Sequence, residues 1–340
     1  MAMLVAGLLG AFAPRAEAAA KQMQITFGGY TNRAEVLTNF PVLVVLSNNV
    51  GSGFTFADFV TTNGTDLRFG TNSTLTTNSL NYEIESWNTN AGQASYVWVQ
   101  VPTIPTNGLG SIYAKWGDSA ASNQLACTTN GAVWTNGYVG VWHLREATGA
   151  NNADSTMKGS VLTPANGPVQ TAGKIDGSLT FDGTDDYTKG ASVNLGLNGT
   201  TKLSISFWFK STDTSGRLVQ KEISDGFNTL ACLLLGSGKM YFSVQALSSS
   251  QYPDWTTTSA YNDGNWHYFT GIFCKNAINA SDGAVYIDGV SVAATYTASG
   301  YSSGFTLEES SKPLYFGVRP ITLTDPYAGI LDEVRISPVN

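Results

Sequence analysis

At 340 residues the chain is long for one domain and favours two. Only 13% of its residues are charged, against roughly 25% in an average globular domain, and Gly, Ser, Thr and Asn fill the difference. A formal charge of −7 argues against nucleic-acid binding, which needs a basic face to neutralise phosphates, and against adhesion to anionic membranes; neutral sugars or calcium remain compatible.

Residues 1–20 hold an apolar run followed by Pro14, Arg15 and Ala16-Glu17-Ala18. The run is too short to span a bilayer comfortably, and the small residues fit a cleavage site. These residues are expected to be an export signal outside the fold, which places the protein in the periplasm, at the cell surface or outside the cell. Residues 21–125 read as short strands, among them Gln24 to Phe27, Phe40 to Leu46, Asp66 to Phe69, Leu80 to Trp87, Ala94 to Val101 and Gly110 to Trp116. Gly, Asn, Ser, Thr and Pro separate them at the spacing of a sandwich. Helical periodicity is confined to about one turn near Phe56 to Val60. Residues 126–138 read as a linker.

From 139 to 340 strand again follows strand. Lys202 to Lys210 alternates, with Leu203, Ile205, Phe207 and Phe209 on one face. Ser178 to Asp182 alternates and breaks at Asp182-Gly183 into a turn with Asp185 and Asp186. Asp288-Gly289 between Val285-Tyr286-Ile287 and Val290-Ser291-Val292 predicts a tight hairpin, since both residues accept positive φ. Gly236-Ser237-Gly238-Lys239 imitates a phosphate loop, but Leu233 and Met240 stand where Gly and Ser or Thr are required, so it predicts a turn. The fold class expected is all-β.

Two resemblances fit this division. Asn39-Phe40-Pro41-Val42-Leu43-Val44, Asp66-Leu67-Arg68-Phe69, Tyr82 to Trp87, Val97-Trp98-Val99 and Ile112 to Gly117 follow the Gly29-Tyr30 turn in an order that resembles the domain of unknown function numbered 2341, found in secreted and surface bacterial proteins. That family implies no activity. Gly140 to Leu144, Phe181 to Tyr187, Ser204 to Phe209, Asp263 to Tyr268, Tyr286 to Gly289 and Gly329 to Ile336 resemble a laminin-G-like, concanavalin A-like jelly roll. This resemblance implies a fold that hosts lectins, adhesins, enzymes and spacers. It also implies that the first and last strands are neighbours, which would bring Asp332 near Asp182. Alternation puts Asp332 with the apolar set Ile330, Val334 and Ile336, and a buried carboxylate needs a partner. Asp182 and Asp332 are therefore the expected ligands of a structural Ca2+; the alternative is that Asp332 accepts backbone N–H bonds.

Glu83 and Glu85 share a strand face with Trp87, a pattern a glycosidase could use as acid and base. No third acid follows, and a solvated or salt-bridged face, with Arg68 as partner, is expected instead. His143 and His267 are expected to be packing or edge residues. With two histidines and no Cys-x-x-Cys pair among Cys127, Cys232 and Cys274, zinc is not expected; a Cys232–Cys274 disulfide stays open. Sugar rings stack on aromatic side chains, and Tyr252, Trp255 and Tyr301, read as loop residues, are the expected ligand contacts.

The sequence thus predicts an exported, non-enzymatic binding or adhesion module whose partner is a glycan or a surface protein. It is expected to carry no membrane-spanning segment and to be part of a longer polypeptide or assembly. A glycoside hydrolase or its accessory domain, and a passive structural module, are the alternatives. Asn63, Asn72, Asn198 and Asn279 begin Asn-x-Ser/Thr sequons.

Overall fold

The structure is a computed structural model that describes residues 20–28, 36–50, 53–74, 79–106, 108–191, 194–224, 227–246 and 251–338. The expected leader, all but its last residue, and the Gly29-Tyr30 turn lie outside the described residues. Among the described residues no helix is long and apolar enough to cross a membrane.

The first unit contains β1 (Lys21–Gly28), β2 (Leu37–Leu46), β3 (Arg68–Gly70), β4 (Tyr82–Ser86), β5 (Ser95–Ile104) and β6 (Leu109–Trp116). They form two three-stranded antiparallel sheets, in the orders β1-β6-β3 and β2-β5-β4. Between the sheets Phe54, Phe56, Phe59, Trp87 and Trp116 meet ring against ring. The single helical turn expected near Phe56 is a 3-10 turn, Phe56–Asp58.

The segment read as a linker is packed rather than free. Two 3-10 turns, Ala126–Thr128 and Ala132–Trp134, carry the chain across. Val133 and Trp134 are buried against Trp98 of β5 and Val141 beyond. Apolar surface removed from water on both sides fixes this crossing.

The second unit contains β7 (Gly140–Trp142), β8 (Leu162–Ala165), β9 (Val169–Ala172), β10 (Gly177–Asp182), β11 (Tyr187–Gly190), β12 (Lys202–Lys210), β13 (Gly216–Ser224), β14 (Phe227–Leu235), β15 (Lys239–Val244), β16 (Tyr252–Ala260), β17 (His267–Cys274), β18 (Gly283–Ile287), β19 (Val290–Ser291), β20 (Ala294–Ser299), β21 (Leu314–Phe316) and β22 (Ala328–Ser337). One sheet runs β19-β18-β17-β12-β22-β10-β9, with β7 also on β22; the other runs β20-β16-β15-β14-β13-β21-β11-β8. The alternating face of β12 does what its sequence dictates: Leu203, Ile205, Phe207 and Phe209 all enter the core. Phe207 stacks on Phe269 of β17 with ring centroids 4.9 Å apart. Each such ring contributes about 1.5–3 kcal/mol by leaving water. Asp288 and Gly289 both have positive φ, 53° and 79°, and close the predicted β18–β19 hairpin.

The last strand departs from plain alternation. Between its pairings Ser206↔Arg335 and Trp208↔Asp332 the register with β12 shifts, and Glu333 has a φ of 56°. This is a β-bulge, which re-aims the side chains that follow it. Leu331, Val334 and Ile336 therefore face the core, and Asp332 does not, contrary to the expected face. On the other side of β22 the partner changes at the same point, from β10 (through Leu179↔Leu331) to β7 (from Val334↔Trp142).

Cys232 and Cys274 lie in different sheets, and all three cysteines are free thiols, so the open disulfide question closes in the negative. The glycine-rich imitation of a phosphate loop is the turn between β14 and β15.

Candidate functional site

The bulge on β22 faces the first unit, and a cluster of charged groups is sealed between the two. Glu83 and Glu85 come from β4, His143 follows β7, and Glu333 and Arg335 come from β22. His143 Nδ1 lies 2.6 Å from Glu333 Oε1 and 3.5 Å from Glu85 Oε2, while its Nε2 lies 3.5 Å from Glu83 Oε1. Trp98 Nε1 donates to Glu85 Oε2 at 2.6 Å, and Trp134 Nε1 donates to Glu83 Oε2 at 2.6 Å. Ser155 Oγ donates to Glu83 Oε1 at 2.7 Å. Arg335 pairs with the second oxygen of Glu333, and its guanidinium lies 4.2 Å from the Trp98 ring centroid.

Burial and charge set the protonation of this cluster. Burial pushes Glu85 up to about 8, with the Glu333 charge adding to it against the pull of His143. Burial acts on Glu333 in the same sense, but His143 and Arg335 outweigh it and hold Glu333 down to about 2. Burial alone would lower His143; the carboxylates of Glu333 and Glu85 push it well above its ordinary value instead. Burial also acts upward on Glu83, but the nearby His143 and bonds from Trp134 and Ser155 bring it below the usual range. Of the solvated or salt-bridged face expected for Glu83 and Glu85, the solvated part is corrected: the pair is ion-paired in an interdomain network, with His143 as its partner. Arg68, the partner expected for it, instead donates to the backbone carbonyls of Thr65, Leu67 and Asn123.

Asp332 accepts the backbone N–H groups of Lys174 and Ile175 at 2.7 and 3.0 Å, which is the alternative reading given for it above. Strands β10 and β22 are neighbours as expected, but Asp182 pairs with Ala328. Asp332 lies four residues further on, roughly 13 Å along the strand. Asp182 and Asp332 therefore cannot share one ion. Asp182 is instead grouped with Asp185 and Asp186, their carboxylates within 4.8 Å of one another in a turn where Asp182 and Asp185 are exposed and Asp186 is buried.

The outward face of the β20-to-β8 sheet presents a different kind of site. Cross-strand register aligns Lys189, Tyr315, Gln220, Ala231, Ser243, Asp254 and Thr297 in one row across seven strands. The middle of the row faces away from the core, yet Gln220, Ala231 and Ser243 are 1%, 0% and 0% exposed. Small residues between taller flanks, closed to water themselves, mark a trough that solvent reaches at its tyrosines. Tyr315 and Tyr187 form one flank, with ring centroids 5.7 Å apart. The other flank is β16, whose alternation puts Tyr252, Asp254 and Thr256 on the same face. Tyr241 lies opposite Thr256. At one end Gln220 Nε2 donates to Asn228 and to Glu222 Oε1, the latter at 3.2 Å, and Arg319 Nε lies 3.6 Å from Glu222. Burial raises Asp254 to about 6 and Tyr241 to about 12.

Of the three expected ligand aromatics, the structure brings only Tyr252 to the trough. Trp255 is not in a loop: it lies in β16, points into the core, stacks on Phe242 and donates to the Ala280 carbonyl at 3.0 Å. Tyr301 donates its hydroxyl to Asp282 and packs its ring on Phe305, 5.1 Å away. Trp208 is on the outer face of the other sheet, with Lys174 Nζ over its ring at 4.9 Å. Sequence reasoning missed Gln220, Ala231, Ser243 and Asp254; their signal lies only in the register of separate strands.

Cavities among the described residues include two of note. One of about 280 Å³ lies at the junction beside Trp134, Tyr138 and Met157, and one of about 210 Å³ lies within the first unit beside Tyr82 and Gln124.

Fold and site together define a tandem of a small β-sandwich and a two-sheet jelly roll. The profile of the family described as "Domain of unknown function (DUF2341)" matches residues 63–132, and that of the "Concanavalin A-like lectin/glucanases superfamily" matches residues 181–339. The two stand in the order in which the sequence motifs placed them. No curated protein matches the chain. Among solved structures it is similar to the binding domain of botulinum neurotoxin serotype D (12% identity, 60% of this chain and 49% of that one, TM-score 0.44). It is similar also to the serotype G binding domain (11%, 60% and 48%, TM-score 0.45). A third similar structure is Trypanosoma rangeli sialidase in complex with sialic acid (15%, 76% and 40%, TM-score 0.43). The chain spans about half the length of those binding domains and less of the sialidase.

Proposed function

We propose that this protein is an exported, non-enzymatic binding module that receives a neutral glycan in the trough on the outward face of the jelly roll. The observation that carries this reading is the set of half-buried tyrosines on this outward face, Tyr187 and Tyr315 on one flank and Tyr241 and Tyr252 on the other. Sugar rings offer apolar C–H faces and a fringe of hydroxyls. Tyrosine rings with polar tips suit the first, and amide, hydroxyl and carboxyl groups suit the second. A net charge of −7 favours neutral over anionic sugars. The family described as lectins and glucanases supports the same reading.

Binding is favoured over hydrolysis by spacing. Glu222 on β13 and Asp254 on β16 are separated by three strand spacings, roughly 14 Å. A glycosidase needs its two carboxyl groups about 5–9.5 Å apart. Glu85 and Glu333 stand closer together, but both are buried in the junction.

A glycan array run with and without EDTA, followed by titration calorimetry on the best ligand, tests the reading. Tyr315→Ala is expected to weaken binding about ten-fold through loss of stacking. Tyr252→Ala is expected to weaken binding by a similar factor. A parent chain that binds no glycan, or variants that bind as the parent does, would overturn the proposal; self-association without glycan binding would favour a passive assembly module.

A further inference from the structure

We propose that Glu85, His143 and Glu333 form a binding site for a divalent first-row transition ion of the zinc type, which fastens the small sandwich to the jelly roll. The proposal concerns the junction and is independent of glycan binding in the trough.

Three observations carry it. One is the donor set. A ligand atom from each of the three residues lies within 4.8 Å of the other two, and all three residues are buried. A tetrahedral ion with ligand bonds of 2.0–2.2 Å holds its donors about 3.4 Å apart. His143 Nδ1 and Glu85 Oε2 already stand 3.5 Å apart; His143 Nδ1 and Glu333 Oε1, at 2.6 Å, must separate by less than an ångström.

A second, independent observation is an orphaned oxygen. Glu85 is 1% exposed, and its Oε1 is buried without a hydrogen-bond partner, while Oε2 is held by Trp98. A buried carboxylate oxygen without a donor is costly, and an ion held by both oxygens of Glu85 would satisfy it.

The third is the surrounding shell. With Nδ1 on the ion, the neutral ring of His143 carries its proton on Nε2. That atom has no hydrogen bond of its own and faces Glu83 Oε1 at 3.5 Å. A carboxylate behind a ligating histidine orients the ring and raises its basicity. Trp98 positions Glu85, and Arg335 positions Glu333 through the oxygen that does not ligate. One imidazole nitrogen with two carboxylates suits zinc, whereas calcium demands six to eight oxygens. The ligands come from β4, the segment after β7 and β22, so only the docked pair of domains assembles the site.

Because the site is buried, it is loaded by refolding the full chain with one equivalent of Zn2+ or Co2+. Gel-filtered protein is expected to retain one zinc per chain. The cobalt form is expected to show the strong visible absorption of a tetrahedral site. Glu85→Gln and His143→Gln are expected to lower retention at least ten-fold, while Asp182→Asn with Asp185→Asn, in the exposed acidic turn, leaves it unchanged. A parent chain that retains no metal, a weak octahedral cobalt spectrum, or equal retention in the junction variants would overturn the proposal. The cobalt spectrum of the parent decides the matter even if a variant does not fold. Glycan binding measured on zinc-loaded and stripped protein keeps the two proposals apart.

Discussion

The junction and the trough put polar groups to opposite use. At the junction Glu83, Glu85, His143, Glu333 and Arg335 are packed together away from water, with strong mutual fields. The trough uses Gln220, Ser243, Tyr315 and one isolated acid, Asp254, along a surface that stays open at its flanks. The groups with the most perturbed protonation are thus the least reachable. In this molecule strong electrostatics mark the seam that holds two domains together, and weak, well-aligned polarity marks the surface suited to a ligand.

Breaking the seam has the largest expected effect. Arg335→Ala removes one partner of a buried pair and leaves Glu333 and the faces of Trp98 and Trp134 uncovered, at a cost of about 3–5 kcal/mol. Urea unfolding should show the loss, with the two domains unfolding in separate steps. A loss below about 1 kcal/mol, typical of solvated pairs, would erase the contrast between the regions.

The trough gives a smaller effect with a defined sign. Burial holds Asp254 at about 6 in the folded chain, above the ordinary carboxylate value of about 4. Between these values the folded state binds more protons than the unfolded state, so its stability declines as pH rises from about 4 to about 6. Asp254→Asn lacks that decline. Melting temperatures of parent and variant from pH 4 to 7 should diverge through this window and then run parallel. A gap independent of pH would mean that Asp254 is well solvated and the trough shallow.

The smallest effect is expected at the rim. Arg217 Nη2 meets Asp325 at 2.9 Å with both side chains partly exposed, so Arg217→Ala should cost less than about 1 kcal/mol and respond to salt. A larger cost would show that the trough's end is as desolvated as the junction.

What the sequence shows depends on how local the cause is. The β12 alternation and the Asp288-Gly289 turn depend on neighbours in the chain, and both appear in the structure as written. Asp332 was assigned to the wrong face because a single left-handed residue, Glu333, resets the alternation, and nothing in Ile330 to Ile336 announces that bulge. The Glu83–Glu85 pair was visible, but its partner His143 lies about sixty residues away in the next domain. Counting histidines also could not foresee a donor set gathered from three segments. Gln220, Ala231 and Ser243 are ordinary strand residues in isolation; only the pairing of seven strands lines them up.

The jelly roll's first and last strands have one further consequence, which is mechanical. Gly140 pairs with Ile336, Val139 N–H donates to the Ile336 carbonyl at 2.9 Å, and Ser337 Oγ donates to the Gly137 carbonyl at 3.1 Å. The chain enters and leaves the jelly roll at one point, beside the small sandwich. Tension applied between that sandwich and residue 338 would peel these strands rung by rung, and the strands of the trough would hang beside the line of force. A ligand seated there would feel no distortion until the peeling reached Glu333 and the charged seam gave way.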